Sequence, residues 1–379
     1  MNRKILAALL ALATLFALAC QNAGNNPAGA NGVAANGAAA NGAANAGPGA
    51  GGTTTGSIGG SGAVRDVIAA FPDSKAVGFA YVNRILTQAL PAGGMPQSEL
   101  DRMYADAQRE GFDPRSIDLV VAAIRYTEPV SPNTIPEFLI VAKGSFNATD
   151  VIEKIKAKAT KDAPGRQETY KGKTLEIFST THPGATRPEP IPEVAITSFD
   201  NGTVVGGVPA YVRSAIDAAE GGPRVRQDII DLATANSDSL ISFAGDVPPS
   251  LIELLRSAGG MRSNPDAERA FRAIRQLQLS IGMNATDYTL NTKARTDTPE
   301  NATWMSSTGT TQLAQLKQLL QTQISQAPPS APPSQVEQMQ LVLNILNSLN
   351  VSSSGNEVSV NLSVPISTVR SLVQKETGR

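Results

Sequence analysis

Residues 194–219 read VAITSFDNGTVVGGVPAYVRSAIDAA and contain the pattern that decides the fold. Two apolar runs flank the turn Asp200-Asn201-Gly202, and Asn-Gly between such runs is a strong hairpin signal. Pro209 follows the second run, and proline suits the first position of a helix because its missing N–H would have no partner there. The stretch therefore predicts an antiparallel hairpin that leads directly into a helix.

The same junction between a strand and a helix occurs three more times in the chain. Each strand leads through a proline or a capping asparagine into its helix, and the last strand belongs to a second hairpin that turns at Ser354-Gly355-Asn356. Each helix is expected to lie back across a sheet. The predicted pairs of strand and helix are 138–144 with 151–159, 240–247 with 251–256, and 357–364 with 369–374.

The recurrence of the hairpin and helix indicates two related units. A hairpin followed by a helix ends residues 63–222, and the same arrangement ends residues 223–379. We interpret this repetition as a duplication. We expect an α+β fold in which each unit is a mostly antiparallel sheet with helices packed on one face. Because strands alternate with helices in each unit, an α/β sheet is the alternative.

The second unit contains an inserted helical hairpin, predicted at 310–324 and 335–349 around the proline-rich 327–334. Apolar residues cover more than half the circumference of the second helix, which predicts burial on more than one side. Its polar positions are mainly glutamine and asparagine, without lysine or arginine. A core helix is therefore favoured over one that binds a membrane surface.

The first twenty residues have the layout of an export signal. Arg3 and Lys4 precede an apolar run, 5–19, that is broken only by Thr14, and Cys20 follows as the only cysteine of the chain. At about fifteen residues, the run is shorter than the roughly twenty that a membrane-spanning helix needs. Residues 1–19 are therefore interpreted as a cleaved signal peptide.

The sequence Ala17-Leu18-Ala19-Cys20 resembles the lipobox of bacterial lipoproteins. The resemblance covers only the first twenty residues, and Ala17 and Leu18 reverse the family's usual order of a large and then a small residue. It implies cleavage before Cys20 and acylation of that cysteine, with palmitate among the chains. Gln21 in place of aspartate implies the outer membrane by the same resemblance. An ordinary cleavage site that leaves Cys20 as a free thiol is the alternative.

Residues 20–62 have the composition of a disordered tether. From residue 21 onward they contain no charge and no aromatic side chain, and Asn-Gly recurs every five residues from Asn31 to Gly42. Such a segment cannot bury enough apolar surface to offset the entropy of ordering it. As a flexible coil it would span roughly 35 Å, so the globular part can stand clear of the membrane.

Two matches to nucleotide-binding motifs fail on their context. Residues 47–52 match G-x-G-x-x-G, but they lie in the tether, with neither a strand before them nor a helix after them. The sequence at Gly172 resembles the end of a Walker A loop, but Gln167 stands where that loop begins with glycine. A tight turn between strands 168–170 and 174–178 is favoured, and no nucleotide cofactor is expected.

Residues suited to metal binding or nucleophilic catalysis are scarce. His182 is the only histidine and Cys20 the only cysteine, so the usual zinc sites and Cys/His pairs cannot form. No Gly-x-Ser-x-Gly elbow in the globular region accompanies His182, which favours a surface histidine over a Ser-His-Asp triad. No metal site and no catalytic residue are therefore expected.

A group of carboxylates near residue 100 could supply paired acids. Arg102 and Arg109 alternate with them, Ser98 is expected as the N-cap of their helix, and Gly111 as its C-cap. A solvated helix face is therefore favoured over an acid/base pair. The carboxylates are Asp101, Asp106, Glu110 and Asp113.

The predicted anchor and the lack of a catalytic motif favour a non-enzymatic envelope lipoprotein that binds or scaffolds a protein or polymer. It would contact the membrane through Cys20, and a formal net charge of −1 gives no basic surface for nucleic acid. A tethered hydrolase and a carrier of an apolar ligand are the alternatives. A pocket lined by Leu, Val and Phe would favour the carrier, and converging polar side chains the hydrolase.

Overall fold

The structure is a computed structural model that describes residues 61–376 apart from 110, 132–135, 160–164, 181–190, 251, 254–264 and 329–332. The signal peptide, Cys20, residues 20–60 of the predicted tether and His182 lie outside the described residues. Ser61 and Gly62, predicted as the end of the tether, instead begin a helix. In the described part, twelve strands form one sheet. The strands are β1 Ala76–Ala80, β2 Ile117–Arg125, β3 Glu137–Gly144, β4 Gly165–Tyr170, β5 Lys173–Ser179, β6 Glu193–Asp200, β7 Thr203–Gly207, β8 Ser239–Asp246, β9 Ile274–Met283, β10 Asp287–Thr296, β11 Asn350–Ser354 and β12 Glu357–Pro365.

Helices connect the strands and flank the sheet. A continuous helical segment follows β1 and consists of Val82–Arg84, Ile85–Ala89 and Leu90–Ala92, and a short turn of helix, Pro114–Ser116, precedes β2. The longer described helices are α1 Ser61–Ala69, α2 Gln97–Arg109, α3 Ala148–Ala159, α4 Pro209–Ala219, α5 Gln227–Ala233, α6 Pro265–Ala273, α7 Pro299–Ser325, α8 Pro333–Asn347 and α9 Ile366–Glu376.

The sheet order is β11-β12-β10-β9-β8-β1-β2-β3-β7-β6-β5-β4. Every pairing within the described strands is antiparallel, which confirms the α+β class and excludes the α/β alternative. Reading outward from the centre, β1-β2-β3-β7-β6 repeats as β8-β9-β10-β12-β11. Because β1 pairs with β8, the two sequence units share one sheet, and Gly60–Arg379 is one compact unit.

The predicted junctions form for the local reasons that the sequence indicates. Asn147 caps α3, with its side chain accepting hydrogen bonds from the backbone N–H groups of Thr149 and Asp150. Pro209 is the first residue of α4. The helix predicted at 251–256 lies mostly outside the described residues.

The predicted turns also form. Asn201-Gly202 joins β6 to β7, and Lys171-Gly172 joins β4 to β5. Lys171 and Gly172 have φ values of 47° and 74°, the left-handed conformation that a two-residue hairpin turn requires. The Gly172 segment is therefore a hairpin turn, as predicted, and no phosphate-binding loop.

Several helices begin at other residues than predicted, and α2 and α7 show why. α2 begins at Gln97, so Ser98 lies inside the helix, because Pro96 already starts the turn by accepting from the backbone N–H of Glu99. α7 begins at Pro299, well before residue 310, and Thr298 caps it by accepting from the backbone N–H of Asn301 at 3.2 Å. The Ser- and Thr-rich start of α7 has no apolar stripe, so hydrophobic periodicity alone did not reveal it.

One face of the sheet carries the main hydrophobic core. Side chains such as Val77, Leu119 and Val205 are fully buried there against α1, α4 and α5. Tyr211 of α4 is also fully buried, and its hydroxyl lies 2.6 Å from the hydroxyl of Ser74. We call this side the core face.

Helices also cover parts of the opposite side, which we call the second face. At one end Lys156 of α3 lies 3.1 Å from Glu176 of β5, and at the other the hydroxyls of Ser306 in α7 and Ser353 in β11 lie 2.8 Å apart. Helices thus lie against both faces, where the sequence predicted one. The reason is that strands near the end of the sheet also carry apolar side chains on this side, such as Ala294 of β10 and Val358 of β12, and these are buried.

Candidate binding surface

The centre of the second face is an apolar lattice built from five adjacent strands, β3, β2, β1, β8 and β9. Three rows of side chains cross these strands, and none of the fifteen positions is polar. We call this lattice the apolar face. In register, its rows are Phe138, Ile124, Ala76, Gly245 and Leu277; Ile140, Ala122, Gly78, Phe243 and Leu279; and Ala142, Val120, Ala80, Ile241 and Ile281.

Several large side chains of the apolar face remain open to solvent. Ile140, Ile241, Phe243 and Leu277 are 38–43% exposed, and they make up half of the large hydrophobic residues that stand out as exposed in the described part of the chain. Ala122, between Ile140 and Phe243, is exposed as well. A contiguous patch of apolar side chains on a surface exposed to water is typical of a binding site.

Strand β9 shows an inverted arrangement of polar and apolar residues. Its polar residues Gln276, Gln278 and Ser280 are buried on the core face, whereas Leu277 of the same strand is exposed on the apolar face. The side-chain oxygens Oε1 of Gln278 and Oγ of Ser280 have no hydrogen-bond partner among the described residues. Burying an unpaired polar group costs about 1–3 kcal/mol. Folding alone therefore does not explain why the leucines of β9 face outward.

Small residues in the middle of the apolar face produce a shallow depression in its surface. A Cβ atom placed on Gly78 would lie 3.0 Å from Cδ2 of Phe243, so the phenyl ring leans over this glycine. Ala122 fills the next position of the same row, and Ile140 stands beyond it. The centre of the face is therefore a shallow dip between two large side chains.

The apolar face continues into a buried layer. Leu277 of β9 lies next to Ala294 on the adjacent strand β10, and Ala294 lies next to Val358 on β12. Ala294 and Val358 are buried, as are Ala302 of α7 and Leu343 of α8. The apolar face is thus the open continuation of a hydrophobic layer that helices cover at the end of the sheet.

Charged groups at the end of β8 and the start of α5 lie on the core face and neutralise each other. Arg226 contacts Asp228 at 3.0 Å and Asp246 at 2.7 Å, and the side-chain amide of Gln276 donates to both carboxylates. Hydrogen bonds from Arg226 lower the pKa of Asp228 below its usual value. The pKa of Arg226 is raised by the same contacts. The charged groups of this network are thus engaged with one another.

A surface depression of about 460 Å³ lies between α6 and the start of α7. Its charged groups also pair locally, as between Arg272 and Glu268 at 2.8 Å. Arg269 stacks over the ring of Trp304 at 4.1 Å. The described residues contain no cluster of three groups suited to hold a metal ion, and no helix among them is long and apolar enough to cross a bilayer.

No protein-family model matches the chain, and no curated protein matches it. Among solved structures, crystal form III of the protein TP0453 is 8% identical with a TM-score of 0.39, over 81% of this chain and 97% of that one. Crystal form I of TP0453 is 7% identical with a TM-score of 0.38, over 81% and 96%. Neither likeness carries an argument about function.

Asp101 and Asp106 lie on the solvated helix surface that the sequence predicts. Asp101 accepts a hydrogen bond from Gln97 at 2.9 Å, and Asp106 pairs with Arg109. Asp113 lies just after the helix, and hydrogen bonds from Arg115 lower its pKa to about 2. Glu110, Cys20 and His182 lie outside the described residues.

The apolar face itself did not emerge from the sequence. Its members come from five strands between residues 76 and 281, and both sequence units contribute. The one available signal was the alternation in 274–283, where leucine and isoleucine alternate with glutamine and serine. This alternation predicts a strand with one apolar side but leaves open which face of the sheet that side occupies.

Proposed function

We propose that the protein is a lipid-anchored, non-enzymatic binding protein of the bacterial cell envelope, and that the apolar face is its binding surface. The observation that carries the proposal is the exposure of four large side chains on a lattice without a polar residue. Each Å² of apolar surface removed from water contributes about 25 cal/mol, so covering this face gives a strong driving force for binding.

The anchor in this proposal is the acylated Cys20. It is supported by the solitary cysteine directly after an apolar export signal and by the resemblance to the lipobox. Two or more acyl chains give stable attachment, and a tether of residues 20–60 gives the binding domain room to move. Gln21 favours the outer membrane as the destination.

Replacing the cysteine tests the anchor. The variant Cys20→Ser should move from the detergent phase to the aqueous phase in a partitioning experiment, and it should no longer incorporate labelled palmitate. The wild-type chain expressed in the same cells is the reference. Unchanged partitioning would contradict lipid anchoring.

Photo-crosslinking tests the binding surface directly. A phenylalanine analogue that crosslinks under light is placed at Phe243 in the full chain and activated in intact cells. Phe112 is a matched control, because it is 44% exposed against 43% for Phe243 but lies outside the apolar face. We expect a covalent adduct at position 243 and little at position 112. Equal adduct formation at both positions, or none at either, would contradict the proposal.

A further inference from the structure

The backbone of the apolar face offers no hydrogen bonds to a ligand. Each of its five strands is paired on both sides, so the N–H and C=O groups are used within the sheet. None of the fifteen positions carries a polar side chain either. A sugar, or a peptide in extended conformation, would lose its own hydrogen bonds to water on this face and gain none in return. The ligand must therefore be apolar where it touches the protein.

The size of the face argues against a second copy of the chain. Strands lie about 4.8 Å apart and residues on one side of a strand about 7 Å apart, so five strands by three rows cover roughly 500 Å². A stable protein interface buries about 800 Å² on each partner. The face is thus better matched to a ligand than to a protein surface.

The relief of the face fits a narrow chain. Ala122 leaves a dip between Ile140 and the ring of Phe243, which lies over Gly78, and Ile241 and Leu277 stand on the neighbouring strands. An unbranched hydrocarbon chain is about 5 Å wide and makes only dispersion and hydrophobic contacts. It can lie in this dip without leaving any polar group unsatisfied.

We infer that the apolar face binds the hydrocarbon chain of a single lipid molecule of the fatty-acid type. The inference rests on the proposed function and specifies its ligand. Ala122 forms the floor of the site, and Ile140 and Phe243 form its sides. The protein then takes the lipid as a monomer and not as part of a bilayer.

The test uses the full chain carrying Cys20→Ser, so that no detergent is needed, and cis-parinaric acid as the fluorescent probe. We expect saturable binding at one probe per chain, with displacement by palmitate. Ala122→Phe fills the dip, and Phe243→Gln replaces the apolar ring beside the dip with a polar side chain. Each variant should weaken the affinity for parinarate roughly tenfold or more. Leu319→Gln is the control, because Leu319 is 54% exposed on α7, away from the face. Thermal melting of each variant verifies its folding.

Three results would overturn the inference. One is no parinarate binding, and another is binding that neither variant of the face weakens. The third is flotation with vesicles of phosphatidylethanolamine and phosphatidylglycerol that depends on Phe243, since the face would then meet a bilayer. A protein-sized adduct at position 243 in cells, without parinarate binding, would reject the lipid and leave the proposed binding surface standing.

Discussion

At the scale of single residues, charged groups on the core face pair with each other, whereas large apolar side chains on the apolar face are open to solvent. Arg226, Asp228 and Asp246 form a network with Gln276 on the core face. On the other side of the same strands, Phe243 and Leu277 face solvent. The chemistry that this chain exposes near its centre is therefore hydrophobic contact, and its ionic contacts stabilise the fold.

The network predicts a specific pH dependence of stability. Because the pKa of Asp228 is lowered in the folded state, its contribution is fully present above the unfolded pKa and is lost as the pH falls through the folded value. Asp228→Asn should therefore be less stable than wild type at pH 6, and the difference should shrink toward pH 2. Thermal melting across this range measures it, and a difference that stays constant with pH would contradict the account.

At the scale of elements, α8 allows the burial predicted from its hydrophobic periodicity to be compared with the burial in the structure. The sequence predicted an apolar helix buried on more than one side, and Leu343 is indeed buried, with 6% of its surface exposed. Val342, its neighbour, is 46% exposed, and Val336, Met339 and Leu346 are half-buried. The helix thus packs against both the sheet and α7, and most of its apolar side chains are only partly covered.

Neighbouring residues of α8 provide a matched pair for stability. Leu343→Ala removes a buried side chain and leaves a cavity, so it should cost about 2–5 kcal/mol. Val342→Ala removes a half-exposed one and should cost about 1 kcal/mol or less. Denaturant unfolding of both variants measures these two losses in the free energy of unfolding. Similar losses for both would show that the packing of α8 differs from that described.

The elements that the sequence predicted well are those determined by local rules. The turns at Asn201-Gly202 and Lys171-Gly172 and the helix start at Pro209 depend on a few adjacent residues. The orientation of β9 depends instead on which strands and helices surround it. Its alternation would ordinarily place Leu277 inside and Gln278 outside, and the structure has the reverse. No rule that acts within one strand predicts this outcome.

At the scale of the whole molecule, the two units are halves of one sheet joined between β1 and β8. The repeated strand order on the two sides supports the inference of a duplication. The apolar face spans the junction, because β3, β2 and β1 come from the first unit and β8 and β9 from the second. It exists only in the joined sheet, which is why neither unit's sequence revealed it.

The shared sheet predicts that both halves unfold together. The core contains residues of both units, such as Val77 and Ile229, so neither half keeps its packing when the other is lost. Trp304, the only tryptophan, reports on the second half, and circular dichroism reports on both. Their denaturation curves should coincide. A tryptophan transition separated from the circular dichroism transition would show two independent domains.

The central claim is that the apolar face is covered by a ligand in the cell envelope, and cysteine labelling tests it most directly. With Cys20 acylated, Ala122→Cys or Ser352→Cys introduces the only free thiol, and both positions are exposed. Maleimide labelling rates are compared between isolated envelopes and purified, delipidated protein. The account predicts that position 122 is protected in envelopes and reactive after purification, while position 352 reacts equally in both. Equal labelling of position 122 in the two preparations would contradict it.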